Sequence, residues 1–251
     1  MLLKGKVVLV TGAGRGIGAA IARVLAREGA TVIVNYAHSR ERAEALVREA
    51  VAAGGSAEAV CADVRDPDAV KEMIDGVVRR HGRIDGVVNN AIDGRQEGLL
   101  EEATLDDYRN SFDFNCIAVI NAIVAARPHM NRQGGGRIVN IVTELWNMGS
   151  ENWSVYLAGK GAMVGVSRSL AVELGPENIT VNMVAPGWMA DDKVDTNSED
   201  SKKQALSVPL RVHGSADEIG NACAFVLSDL ARYVTGAYIP VTGGKVTQIG
   251  A

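Results

Sequence analysis

Short apolar runs alternate with longer stretches of mixed apolar and polar residues almost without break along this chain. The runs fall at residues 6–11, 31–36, 56–62, 84–89, 136–142, 179–184 and 237–241, and their length and character suit buried strands. The mixed stretches predict helices at residues 16–28, 39–53, 67–81, 104–132, 156–174 and 216–228. Strand and helix in alternation is the pattern of a seven-stranded parallel sheet covered on both faces, an α/β architecture. No internal repeat, low-complexity tract or linker interrupts it, so residues 1–251 read as a single domain. One polar interval, residues 190–207, shows neither pattern. A loop of that length in a compact domain is a binding-site lid or a surface excursion; the lid reading covers residues 188–207.

The 251 residues are 47% hydrophobic, enough for one large core. The formal charge is −4 and basic residues are scattered, which argues against a nucleic-acid partner or an anionic membrane surface. Cys61, Cys116 and Cys223 form no CxxC pair and sit in apolar contexts, so they read as buried free thiols of a reducing compartment. The four histidines (His38, His81, His129 and His213) lack ligand spacing, and no metal site is visible. The start MLLKGKVVLVTG runs straight into glycine and reads as a first strand rather than a signal peptide. The most apolar later segment, residues 116–126, contains Asn121 and is too short for a bilayer. A soluble cytoplasmic protein is expected.

Between the first strand and the first helix stands Thr11-Gly12-Ala13-Gly14-Arg15-Gly16-Ile17-Gly18. Glycines there permit a tight turn and let backbone N–H groups approach a pyrophosphate, while the helix N-terminus adds a positive dipole end. Strand, glycines and helix within a βαβ unit form the context that makes a Gly-rich run a dinucleotide site. The expected fold is therefore a Rossmann-type three-layer sandwich. The end of the second strand decides between NAD and NADP, because an acid there would bind the ribose 2′-OH and repel a 2′-phosphate. Here Asn35, Tyr36, Ala37, His38, Ser39 and Arg40 precede the first acid, Glu41. Arg15, Ser39 and Arg40 could hold a 2′-phosphate through charge-assisted hydrogen bonds, which favours NADP(H). The other reading leaves Arg40 facing solvent.

Tyr156 and Lys160 lie four residues apart at the start of an Ala/Gly-rich helix, on one face and one turn apart. A lysine ammonium held close favours the phenolate and draws the tyrosine pKa down from about 10. Such a tyrosine is a general acid for a carbonyl and a base for an alcohol. Thr143, at the end of the preceding strand, offers a second hydroxyl to the same oxygen. Alone, the pair equally describes a packed tyrosine beside a solvated lysine, and Thr143 an ordinary strand-end residue. The dinucleotide site raises them to a catalytic constellation.

Over essentially its whole length the chain resembles the short-chain dehydrogenase/reductases. Thr11, Gly12, Gly16 and Gly18 meet the family's TGxxxGxG, and Asp63 with Val64 matches its adenine-contacting acid after the third strand. Asn89, Asn90 and Ala91 represent NNAG, with Ile92 replacing the glycine. Asn115 falls on the helix asparagine of the catalytic tetrad, Thr143 on its serine, and Tyr156 and Lys160 on YxxxK. Pro186 and Gly187 match the turn that frames the nicotinamide. The stretches AVELGPENITVNMVAPG and EIGNACAFVLSDLARYVTG bring the chain closest to the 3-oxoacyl-acyl-carrier-protein reductases.

The resemblance implies an NADPH-dependent reductase. Tyr156 would protonate the carbonyl oxygen and Thr143 would steady it. Lys160 would tune Tyr156 and bind the nicotinamide ribose, and Asn115 would anchor a water that refills the proton. The candidate cofactor-binding set is Gly12, Arg15, Gly16, Ile17, Gly18, Asn35, Tyr36, Ser39, Arg40, Asp63, Val64, Asn89, Ala91, Tyr156, Lys160, Pro186 and Gly187. Relatives are commonly homotetramers, so a homotetramer is expected. Thr143 adds a methyl that narrows the substrate pose. Asp191 stands where many relatives place a threonine that helps hold the nicotinamide half.

Trp146, Trp153 and Trp188, the only tryptophans, fall around the predicted pocket together with Met148 and Met189. They form either an apolar substrate wall or subunit packing. The leading substrate is a ketone, as a 3-oxoacyl thioester or a polyketide intermediate. An acyl-carrier protein is acidic, and Arg127, His129, Arg132 and Arg168 offer it a basic patch. Glu144, Glu151, Glu173, Glu177, Asp191 and Asp192 oppose that as an acidic rim. The alternatives are a dehydrogenase of a specialised alcohol or sugar, and a catalytically weakened cofactor-binding protein.

Overall fold

The apolar runs lie side by side in one seven-stranded sheet of the computed structural model, with every neighbouring pair parallel. The structure describes residues 1–251 apart from 93, 95–96, 191–195, 197 and 246–251. The first half runs β1 (Val7–Val10), α1 (Gly16–Arg27), β2 (Thr31–Tyr36), α2 (Arg40–Ala52), β3 (Ser56–Cys61), α3 (Pro67–His81) and β4 (Gly86–Asn89). It continues with α4 (Leu105–Phe112), α5 (Ala118–Arg132), β5 (Gly136–Ile141), α6 (Leu145–Met148), α7 (Ser154–Glu173) and β6 (Ile179–Pro186). It closes with β7 (Met189–Ala190), α8 (Glu199–Ser207), β8 (Gly214–Ser215), α9 (Ala216–Leu227) and β9 (Tyr238–Val241).

The spatial order is β3-β2-β1-β4-β5-β6-β9. The chain leaves β1 toward β2 on one side and returns to β4 on the other, so a crevice opens beyond the carboxyl ends of β1 and β4. Alternation along each strand divides the core between two faces. Leu9, Ile33, Val87 and Ile138 pack under α3, α5 and α7. Val8, Val10, Val32, Val88 and Val139 pack under α1, α2 and α9. This is the three-layer α/β sandwich that the alternating pattern predicts.

Three expectations are corrected. The helix predicted over residues 104–132 is interrupted: α4, started by a capping box of Thr104 and Asp107, passes into a π-helical turn at Asp113–Ile117 before α5 begins. The turn widens the helix locally and leaves Asn115 fully buried. The interval at residues 190–207 is not featureless, because Ser198 caps α8 by accepting from the Ser201 N–H. Asp191 and Asp192 lie outside the described residues. Cys61 is exposed, because β3 is an edge strand, whereas Cys116 and Cys223 are buried free thiols. Among the described residues no helix is long and apolar enough to cross a membrane.

Candidate active site

The glycine loop after β1 is built by close approach. A Cβ on Gly12 would lie 2.8 Å from Ala91 Cα, and Gly12 itself has φ +62°. A Cβ on Gly18 would lie 2.6 Å from the Gly12 carbonyl oxygen. The loop is then tied to the end of β4. Thr11 Oγ1 accepts from the Asn90 and Ala91 N–H groups at 2.9 and 3.1 Å, and Asn90 Nδ2 donates to the Thr11 carbonyl at 3.0 Å. Asn35 braces the loop from β2, its Oδ1 accepting from the Gly12 N–H at 3.3 Å and its Nδ2 donating to Ala62 at 3.0 Å.

These loops form one side of a cleft of about 970 Å³. Of the candidate cofactor residues, Gly12, Arg15, Gly16, Ile17, Gly18, Asn35, Tyr36, Ser39, Asp63, Val64, Ala91, Pro186 and Gly187 line it, together with Thr143, Tyr156 and Lys160. Two do not. Arg40 is turned away from the cleft and pairs with Glu44 at 3.8 Å. Arg42 and His38, which the sequence reading passed over, line the cleft instead. Asn89 is buried below it, donating to Asn140 Oδ1 at 2.8 Å; Asn140 in turn donates to Ser167 on α7 at 2.7 Å. At Asp63, the Arg65 guanidinium donates at 2.7 and 3.1 Å and holds the carboxyl below its usual range.

The opposite end of the cleft carries the hydroxyls. Thr143 follows β5 and is buried, its carbonyl accepting from Tyr238 Oη at 2.7 Å. Tyr156 and Lys160 face it from the first turns of α7. The expectation that the ammonium makes the phenol acidic is corrected by burial. Burial pushes the Tyr156 hydroxyl above its ordinary value, with a hydrogen bond to Thr143 drawing it back. Burial also lowers Lys160 to about 7. Its Nζ donates to the Ile141 carbonyl at 2.7 Å and lies 5.7 Å from the centre of the Tyr156 ring. Asn115 Nδ2 donates to Ser111 at 2.8 Å, while its buried Oδ1 has no partner among the described residues.

The three tryptophans do not converge. Trp153 lines the cleft and meets Tyr156 edge-on, with ring centres 5.4 Å apart. Trp146 packs against Gly161 and is 42% exposed, and Trp188 lies 5.4 Å from His213. The basic patch is also reduced. Arg127 is engaged by Glu177 and Glu173, and His129 is held 2.6 Å from Asp75. Glu144 is buried rather than part of an acidic rim.

The family model described as enoyl-(acyl carrier protein) reductase matches residues 12–245. The chain belongs to the short-chain dehydrogenase/reductase family. This short-chain dehydrogenase/reductase is 43% identical over 240 residues to a 3-oxoacyl-[acyl-carrier-protein] reductase of Staphylococcus aureus, covering 95% of this chain and 97% of that one. Among solved structures it resembles a blue fluorescent protein from a metagenomic library in complex with NADPH (TM-score 0.88, 39% identity, 98% of this chain and 100% of that one). A short chain dehydrogenase from Burkholderia cenocepacia in complex with NADP is similar too (TM-score 0.87, 38% identity, 98% of this chain and 99% of that one). It is thus an NAD(P)-dependent oxidoreductase acting on hydroxyl and carbonyl groups.

Proposed function

We propose that this oxidoreductase uses NADPH to reduce a ketone carbonyl, and that its substrate is a 3-oxoacyl thioester or a related polyketide intermediate. The observation that carries the reading is continuity: one cleft joins the glycine loop, Ser39 and Arg42 to Thr143, Tyr156 and Lys160. The glycine loop fits a dinucleotide. Gly16, at φ +54°, has open space where a Cβ would project, and Arg15, Ser39, Arg42 and His38 offer donors with no carboxylate among them at the end of β2.

NADPH, when bound, supplies the hydride. Tyr156 donates its hydroxyl proton to the carbonyl oxygen, and Thr143 hydrogen-bonds the same oxygen as charge develops there. Lys160, its proton affinity lowered by burial, would pass protons to Tyr156 and hold the nicotinamide ribose. Asn115 Oδ1 is the acceptor available to a water on that route. Trp153 gives the substrate an apolar wall beside the phenol.

The naming of relatives as 3-oxoacyl-[acyl-carrier-protein] reductases supports the thioester class. With Arg127 and His129 engaged elsewhere and Arg132 bonded to His129 Nδ1 at 2.5 Å, Arg168 is the cation of that set left to greet an acyl-carrier protein. Exposed Val124 on α5 and Val172 on α7 offer apolar faces to a homotetramer. The deciding experiment follows loss of NADPH absorbance with an acetoacetyl thioester and with a panel of small ketones, in parallel with NADH. Thioester turnover with NADPH supports the reading. Turnover of small ketones alone removes the thioester, and equal use of NADH removes the NADP preference.

A further inference from the structure

Glu144 is a buried carboxyl, 4% exposed, for which the chemistry above has no use. It continues the chain beyond β5. The ladder runs on through Val142 N–H to the Val184 carbonyl at 2.9 Å and Glu144 N–H to the Pro186 carbonyl at 3.0 Å. Thr143 lines the cleft. At Glu144 the backbone turns into the helical region (φ −59°, ψ −31°) to start α6, and its side chain lies against Gly187 in the turn at residues 186–188.

The carboxyl touches that turn. The Trp188 backbone N–H favours its charged form, against the burial that raises its pKa. Oε2 is buried without a partner among the described residues and lies 3.1 Å from where a Cβ on Gly187 would stand. The charged and titratable groups that face it are Lys245 and the Tyr238 hydroxyl. Burying a carboxyl is unfavourable unless polar groups meet it, and the backbone this one lies against is that of the turn. Gly187 is fixed from its other side by its own N–H to the Val241 carbonyl at 2.9 Å.

We propose that Glu144 is a positioning residue: it holds the turn at residues 186–188 against the strand end that carries Thr143, and thereby sets the grip on the nicotinamide half of the dinucleotide. This rests on the reading of the cleft as an NADP(H) site. It assigns no contact between Glu144 and the cofactor; the effect passes through Pro186 and Gly187.

Calorimetric titration of the purified protein with NADPH and with adenosine 2′,5′-bisphosphate separates the two halves of the ligand. Glu144→Val removes the acceptor, and Glu144→Asp withdraws it by one methylene. Each is expected to weaken NADPH about tenfold, which is about 1.4 kcal/mol, and to leave the bisphosphate within about twofold. Glu144→Gln keeps an acceptor of the same reach and is expected to bind both ligands within about twofold of the parent. If Glu144→Val does not fold, the Asp variant decides by the same split. Parallel loss of both ligands, or NADPH affinity unchanged in the Val or Asp variant, overturns the proposal. Failure of the parent protein to bind NADPH instead sinks the cofactor reading.

Discussion

Gly159 is packed against Asn115: a Cβ on the glycine would stand 2.7 Å from Asn115 Nδ2, and closer still to Ser111 Oγ. The π-helical turn carrying Asn115 and the helix carrying Tyr156 and Lys160 thus meet with no room for a methyl. Gly159→Ala is expected to cost about 1–3 kcal/mol in overpacking. It should lower both the denaturation midpoint and kcat, because the displaced groups are Asn115 and the helix turn of Lys160. An unchanged midpoint in a denaturant titration would show that the helices separate freely.

Tyr156→Phe keeps the ring against Trp153 and removes the proton donor. Turnover should fall by at least about a hundredfold, while NADPH affinity measured by titration stays near the parent value. Substantial residual turnover would remove Tyr156 from the chemistry.

Lys160 gives a pH dependence of stability with a definite sign. In the folded protein burial lowers it to about 7, against 10.5 for the exposed group. Between those values the unfolded chain binds the extra proton, so stability rises with pH across that window and is lowest below it. Lys160→Met removes the titration, and the difference in unfolding free energy between parent and variant should change with pH across that range. A difference that stays flat would place the ammonium in a better-solvated site.

Arg42 and Arg40 separate two readings of the cofactor preference. Arg42 lines the cleft and Arg40 pairs with Glu44 on the outer side. Arg42→Ala should raise KM for NADPH about tenfold with little change for NADH, the loss expected for a charge-assisted hydrogen bond. Arg40→Ala should change neither. Reversal of that order would mean that the phosphate end of the cleft is arranged differently in solution.

Trp153→Ala should raise KM for the carbonyl substrate several-fold, by about 1 kcal/mol of lost aromatic contact, without altering NADPH affinity. Trp146→Ala, at a ring packed on Gly161, should act on stability instead. Steady-state kinetics beside thermal melts distinguishes them.

The sequence by itself determined the seven parallel strands, the helix layers on either side and the position of the glycine loop. Those features follow from local rules: apolar runs must be buried on both faces, and tight turns beside a backbone need glycine. It also placed Thr143, Tyr156 and Lys160 within reach of one another, since strand ends and a spacing of four are short-range geometry. Only the tertiary structure decided what each side chain faces. Arg40 and Arg42 differ by two positions on α2, roughly 200° around the helix axis, so the phase of one helix start moves one arginine onto the cleft and the other off it. Trp188 turns toward His213, and Glu144 is buried against the turn at residues 186–188, contacts made between segments far apart in the sequence. Burial, which no spacing along the chain expresses, likewise outweighs the Thr143 hydrogen bond at Tyr156 and lowers the proton affinity of Lys160.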